Sequence, residues 1–447
     1  MGKEQHTVLV VDAGGRGSAL VDKYSQSPHV GRIIAIPGND FMHVSSKKPV
    51  ETHTNLKTTS LKEIIEISKK EGVSLVDVAQ DNAVQAGLVD ALLDEGIPVM
   101  GPTKAAGEIE WNKAFSREFM SRHNIPQPKF ATFDSIQEGV LYLQRESDRP
   151  WFVKASGLAE GKGALPAENN SEAIKSIHEL QKFGNASHTY LLEEWVRGEG
   201  GQQAEEFSSF AVSDGEHFKI IGHAQDHKRV FDGDRGENTG GMGCVSHPLV
   251  IDEDISTQVE DIFAKTIKGL RDEGRSYKGI LYFGGILVPE EGGQKVYAIE
   301  FNARWGDPEA QVLVPGIQSD LFELSNAVIN GSLDTFLLQS DNKTRVTVAV
   351  TAKGYPLDYS QVKGKEILRL EEAGKFPDIK IYGGGIKKVD DTYVVSGGRV
   401  FYVVGEGKDV LQAREKAYAA IERLHIERDN MHYRKDIGWR DAKRTRG

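Results

Sequence analysis

The sequence predicts a multidomain protein of mixed α/β and α+β class that opens with a doubly wound parallel sheet. Three observations predict it. At 447 residues the chain exceeds what one hydrophobic core supports, so several subdomains are expected. Its N-terminal part alternates short apolar strands with helices, the pattern of a parallel sheet covered on both faces. Further on, apolar strands run repeatedly into segments rich in glycine, lysine or acids, and ligands of such sheets sit at the carboxyl ends of strands.

Thr7 to Val11 reads as the first strand, followed by Asp12-Ala13-Gly14-Gly15-Arg16-Gly17 and a helix from Ser18. A strand passing through glycines into a helix N-terminus offers backbone N–H groups to an anion, although the spacing is not G-x-G-x-x-G and a plain tight turn fits equally. Further strands are expected at Ile33–Ile36, Leu75–Val78 and Ile97–Met100, with a helix from Ser60. Ile109, Phe115, Phe119 and Met120 follow a helical stripe that carries Lys113, either a ligand or a solvated lysine. Ile125-Pro126-Gln127-Pro128 ends that helix.

Trp151-Phe152-Val153-Lys154 is a hydrophobic strand ending in a lysine, and a glycine loop, Gly157 to Gly163 with Gly161 and Lys162, follows. A lysine on a strand can hold charge against phosphates while glycines let a backbone lie close over them; a mobile surface hairpin is the plain alternative. No Walker A spacing is present. Tyr190 to Leu192 leads into Glu193, Glu194, Trp195 and Val196, a place to hold an adenine by main chain and ribose hydroxyls by carboxylate, or simply an exposed acidic linker. Asp226-His227-Lys228-Arg229 opens a long polar, glycine-rich stretch; His227 is read as a structural hydrogen-bonding residue.

Val296 to Phe301 reads as a strand in which alternate side chains share a face, so Glu300 and Asn302 point the same way with Arg304 close behind. A carboxylate and an amide oxygen side by side are ligands of the kind Mg²⁺ takes. Arg304 can clamp a carboxylate or phosphate, and Asp307 and Glu309 follow in a Gly-Pro turn.

A net charge of −11 argues against a nucleic-acid or anionic-membrane binder, and the single cysteine, Cys244, fits a reducing, cytoplasmic setting. No apolar run approaches a membrane span. Small-molecule substrates are expected, on a monomer or small homo-oligomer.

Taken together, N-K-A-F, F-V-K-A-S-G-L-A-E-G-K-G, L-L-E-E-W, Q-D-H-K-R-V-F-D-G-D, N-T-G-G-M-G and E-F-N-A-R-W-G-D-P-E resemble the phosphoribosylamine–glycine ligase (glycinamide ribonucleotide synthetase) family of the ATP-grasp superfamily. The match runs nearly end to end and includes Gly397-Gly398-Arg399 and the tail from Tyr433 to Gly438. The resemblance implies an ATP-grasp fold with an N-terminal substrate domain (1–102), a linker helix (103–124), a lid (125–193), a metal-bearing core (194–341) and a C-terminal α/β domain (342–447). It implies ATP-dependent ligation of glycine to 5-phosphoribosylamine through glycyl phosphate. Lys113 and Lys154 would contact ATP phosphates under the Gly157, Gly161, Lys162 and Gly163 loop; Glu193, Glu194 and Val196 would hold adenine and ribose; Glu300 and Asn302 would bind Mg²⁺ or Mn²⁺. Asp226, Lys228, Arg229 and Arg304 would face the glycine and amine side.

The chain departs from the family pattern in three places. The usual G-G-R-E-H-A turn is Gly14-Gly15-Arg16-Gly17-Ser18-Ala19, and G-P-E-x-P-L-x-x-G is replaced by Ala79 to Gly87. Both lie on the amine side, where the ribosyl phosphate is expected on Arg16 and the backbone of Gly14 to Gly17. The usual G-E-E is split between Glu199 and Glu206, with Glu206 better spaced to take the nucleotide-side position. A related carboxylate–amine ligase with another amine, and a nucleotide-binding protein without turnover, remain the alternatives.

Overall fold

The computed structural model describes residues 5–159, 162–197, 204–290 and 293–446. Gly161 and Glu199 lie outside the described residues. Among the described residues no helix is long and apolar enough to cross a membrane.

The first sheet is built from β1 (His6–Val11), β2 (Val30–Ala35), β3 (Val50–Thr52), β4 (Val73–Val78) and β5 (Val99–Met100) in the order β3-β2-β1-β4-β5. All neighbours run parallel. Leu9, Val11, Ile34, Val76 and Val78 form a core on one face, while Val8, Val10, Ile33 and Leu75 join the core under helix Gly15–Ser25 on the other. Burial on both faces is why Val8–Val11 and Ile33–Ala35 are unbroken apolar runs. The three-residue β3 gave no sequence signal of its own.

The expected linker helix is two helices, Lys104–Trp111 and Lys113–Arg122. Asn112 separates them: its backbone is extended (φ −127°, ψ 92°) and its side chain caps the second helix by accepting from Phe115 N at 3.1 Å. The helical stripe survives the break because Ile109, Phe119 and Met120 all reach the same core. The break puts Lys113 at a helix start, a position periodicity alone does not reveal.

A four-stranded antiparallel sheet follows, β6 (Phe130–Phe133), β7 (Trp151–Ala155), β8 (Ala164–Ala167) and β9 (Tyr190–Glu194), ordered β6-β9-β7-β8. Among the described residues the largest sheet has nine strands. Its first half comprises β10 (Glu206–Asp214), β11 (Phe218–Asp226), β14 (Gly243–Ser246), β15 (Lys278–Glu290) and β16 (Gly293–Asn302), with the hairpin β12 (Arg229–Phe231) and β13 (Arg235–Asn238) beside it. Through β17 (Thr344–Ala352) it continues into strands Arg399–Gly407 and Ile379–Gly383. One sheet therefore runs from the Glu300 strand to the C-terminal region.

Candidate active site

Strict alternation along β16 would send Glu300 into the core. Val296 and Ala298 belong to the hydrophobic cluster against helix Glu253–Asp272, and residue 300 would follow them. The strand avoids this with a bulge: Gly285 pairs with Ala298 and Gly284 with Glu300, leaving Ile299 as the extra residue. After the bulge Phe301 and Ala303 take the core side, and Glu300 and Asn302 take the other.

The bulge frees carbonyls, and Arg117 binds them. Its guanidinium donates to Ala298 O at 2.9 Å and to Ile299 O at 2.7 Å. The same group holds Glu193 in a two-point pair at 2.8 and 2.9 Å. Glu193 Oε2 also meets Lys154 Nζ at 2.5 Å. Burial would raise the Glu193 carboxyl, but Arg117 and Lys154 outweigh it and hold it down at about 2. Glu193 is 2 % exposed and its oxygens are taken. The sequence suggested a contact to adenine or ribose; what the structure shows for this carboxylate is its pairing with Arg117 and Lys154. Glu194 and Val196, one and three residues on, remain partly exposed.

Lys113 is placed by the Asn112 break. Its backbone N–H donates to Ser156 O at 2.9 Å, Ser156 Oγ donates to Asn112 Oδ1 at 3.0 Å, and Lys113 Nζ reaches Gly157 O at 3.3 Å. The glycine loop is thus tied to the helix start that carries Lys113. Gly157 is not a free hinge: its N–H donates to Ala186 O at 2.9 Å, and a Cβ there would stand 2.9 Å from Ala186 Cα. Ala155 N donates to Gly163 O at 2.8 Å and Lys162 N to Ala159 O at 2.8 Å.

Burial would raise the Glu300 carboxyl, yet Lys228, Lys154, Lys113 and Arg304 together hold it below its ordinary value. Burial lowers Lys113 in turn, against the pull of Glu300. Gly284 lies opposite Glu300, where a Cβ would stand 3.1 Å from Glu300 Cγ. An ionised carboxylate, a neighbouring amide oxygen and a bare backbone opposite suit a divalent cation with phosphate oxygens. Asn302 Oδ1 accepts from Arg304 Nη2 at 3.1 Å, so its oxygen faces the charged side. Arg304 pairs with buried Glu110 at 3.0 Å, and Glu110 also accepts from Ala303 N at 2.7 Å.

Glu206, Asp226, Lys228 and Glu300 line one small cavity with Tyr282 and Gly284. Lys228 Nζ lies 3.2 Å from Glu206 Oε2, and that carboxylate, outweighing burial, raises the lysine. Asp226 is raised by burial; Glu309 is raised to about 7 by burial and by Asp226. Arg229 turns elsewhere, to Gly236 O at 2.7 Å within its hairpin. His227 is structural as expected: Nε2 accepts from Gly438 N at 2.6 Å, and burial lowers the ring to about 3. Sequence reasoning missed Arg117, Glu110 and Arg399 as site-building residues. Arg399 donates to Asp307 O at 2.9 Å and lies 3.3 Å from Asp307 Oδ2, joining the C-terminal strands to the Arg304 segment.

At the first glycine turn, where the sequence suggested a phosphate cradle, the backbone N–H groups of Gly14 and Gly17 donate to Asp12. Arg16 is 4 % exposed, and its guanidinium is bound to Asp12 and to Trp305 O.

Lysines on a helix start and an antiparallel sheet, facing a carboxylate–amide pair on a second sheet, define an ATP-grasp protein. The family model for the phosphoribosylglycinamide synthetase ATP-grasp (A) domain matches residues 111–310, and the N and C domain models match 6–110 and 345–440. Phosphoribosylamine–glycine ligase of Escherichia coli O157:H7 is 38 % identical over 442 residues, 98 % of this chain and 99 % of that one. The Vibrio cholerae protein of the same name is 36 % identical, covering 97 % and 98 %. The crystal structure of phosphoribosylamine–glycine ligase from Thermotoga maritima superposes with a TM-score of 0.78 at 28 % identity, covering 96 % of this chain and all (100 %) of that one. Biotin carboxylase of Campylobacter jejuni shares the fold at 15 % identity, with a TM-score of 0.72 over 98 % of this chain and 94 % of that one. The chain belongs to the phosphoribosylamine–glycine ligase (phosphoribosylglycinamide synthetase) family.

Two predictions follow from the buried charges. Arg117→Met leaves Glu193 with one cation and the bulge carbonyls with none, and is expected to cost about 3–5 kcal/mol in urea unfolding; an unchanged midpoint would deny Arg117 this role. The second concerns Glu110, which burial, against Arg304, raises from 4.5 to about 7. Folding therefore takes up a proton between these values, and the linked stability is complete below the window and lost as pH rises through it. Relative to Glu110→Gln, the wild type should lose up to ~1.4 kcal/mol per pH unit across the window and run parallel above it. Unfolding curves at pH 5, 6, 7 and 8 with a constant difference would refute it.

Proposed function

We propose that this chain joins glycine to 5-phosphoribosylamine, with ATP converted to ADP and phosphate, as the names of its relatives describe for them. The observation that carries this reading is the ionised Glu300 beside Asn302, surrounded by Lys113, Lys154, Lys228 and Arg304. Such a concentration of fixed cations around metal-type ligands suits a polyphosphate.

Lys113 and Lys154 would hold ATP phosphates, Lys154 kept in place by Glu193. Glu194 and Val196 would border the adenosine, and Glu206 its ribose. Glu300 and Asn302 would hold Mg²⁺ or Mn²⁺, which when bound neutralises phosphate charge during transfer. Glycine's carboxylate oxygen attacks the γ-phosphorus, and the bond to the β-phosphate oxygen breaks to release ADP. The amine then attacks the carbonyl carbon of glycyl phosphate, the carbon–oxygen bond to phosphate breaks, and the amine loses a proton. Arg304, locked by Glu110, would orient the glycine carboxylate. Asp226, raised by burial, would accept the amine proton. Positioning and charge supply the acceleration, so no covalent nucleophile is needed and buried Cys244 has no part.

Glu300→Gln keeps the shape and removes the charge, and is expected to lower kcat by about 100-fold or more while the fold stands. The assay is ADP release requiring both glycine and freshly made phosphoribosylamine. Near-normal turnover of the variant at limiting Mg²⁺ would sink the metal assignment. ADP release with glycine and a different amine only would leave the ligase chemistry and remove the amine named here.

A further inference from the structure

The first glycine turn already contains an anion, and the anion is the protein's own. Asp12 is fully buried, 0 % exposed. Its Oδ1 accepts from Gly14 N at 2.5 Å and Gly17 N at 3.2 Å, the backbone donors that such a turn would turn toward a bound phosphate. Its Oδ2 accepts from Arg16 Nε at 2.7 Å and lies 2.6 Å from Arg16 Nη2. The carboxylate is thus satisfied on both oxygens and neutralised by the one arginine of the turn.

Packing makes this arrangement exclusive. A Cβ at residue 17 would stand 2.8 Å from both Cβ and Oδ1 of Asp12, so the aspartate at 12 and the glycine at 17 are a single solution. A glutamate at 17, as in the family turn, could not share this space. The surroundings are also acidic: a Cβ on Gly14 would lie 3.1 Å from Asp307 Oδ2, and Arg399 with other partners keeps Asp307 low despite burial. Arg16 reaches onward to the reacting side. Its Nη1 donates to Trp305 O at 2.8 Å, the same carbonyl that receives Arg304 Nη1 at 3.0 Å.

We propose that Asp12 is a specificity-determining residue, which closes the first glycine turn to the anionic group of the amine substrate. The phosphate of that substrate is recognised away from the turn, and the turn serves instead to brace Trp305 O beside Arg304. This rests on the reading that the amine is phosphoribosylamine.

The test is calorimetric titration of the full chain with inorganic phosphate, with a saturating non-hydrolysable ATP analogue and Mg²⁺ covering the nucleotide side. Asp12→Gly exposes Gly14 N, Gly17 N and Arg16, and is expected to bind phosphate about tenfold more tightly than wild type. KM for phosphoribosylamine should fall by a similar factor, with KM for ATP unchanged. Folded Asp12→Gly with wild-type phosphate affinity, or with a raised KM for phosphoribosylamine, overturns the proposal. Asp12→Asn keeps the size and an acceptor but drops the charge, so it decides the matter if the glycine variant does not fold: tighter phosphate binding supports the proposal and unchanged binding overturns it. A gain in phosphate affinity with no turnover of phosphoribosylamine by any form would leave the role of Asp12 standing and remove the amine named above.

Discussion

The guanidinium of Arg117 and the carboxylate of Glu193 meet with 2 % exposure each, and four elements depend on that contact. Arg117 comes from the second of two short helices, Glu193 from an inner strand of the four-stranded sheet, Lys154 from the neighbouring strand, and the accepting carbonyls from the bulge before Glu300. Burying charges is costly, and a buried pair is tolerated where its remaining donors and acceptors are matched. Here Arg117 has carboxylate and carbonyl partners, and Glu193 has two cations. The arrangement fixes the direction of Glu300 on one side and the position of Lys154 on the other.

The charge pattern beyond this contact is one of near-balance. Glu300 stays ionised because four cations outweigh its burial, while Asp226 and Glu309 are raised by theirs. One carboxylate suited to a cation therefore sits near two that hold protons more readily. The difference arises from where lysines and arginines reach, since the three side chains share the same chemistry. The amine side follows another logic, with Asp12, Arg16 and Trp305 O bound to one another and to the Arg304 segment.

Much of this was legible in the residues themselves. The parallel sheet announced itself through the largely apolar Thr7–Val11 and Leu75–Val78, and the ordered motifs from N-K-A-F to E-F-N-A-R-W-G-D-P-E identified the family before any fold was seen. The short β3 did not, because three residues carry no period. The partners of Glu193 were not legible, because an acid at a strand end looks like a ligand until Arg117 and Lys154 are seen beside it. The partner of Arg16 was hidden likewise: an arginine in a glycine turn suggests an anion, and the structure pairs it with Asp12, four residues behind it.

The sequence by itself determined the family, the run of strands and helices, and which side chains could carry phosphate and metal chemistry, because periodicity and motif spacing are local properties. Only the tertiary structure decided which way those side chains point. Glu300 turns from the core because of a bulge whose carbonyls are met by a side chain 181 or 182 residues away, and that side chain is itself held by an acid 76 residues from it. Gly17 is glycine because Asp12 fills the space beside it. Alternation along a strand propagates from neighbour to neighbour, whereas a bulge, a buried ion pair or a filled turn is set by groups that folding brings together.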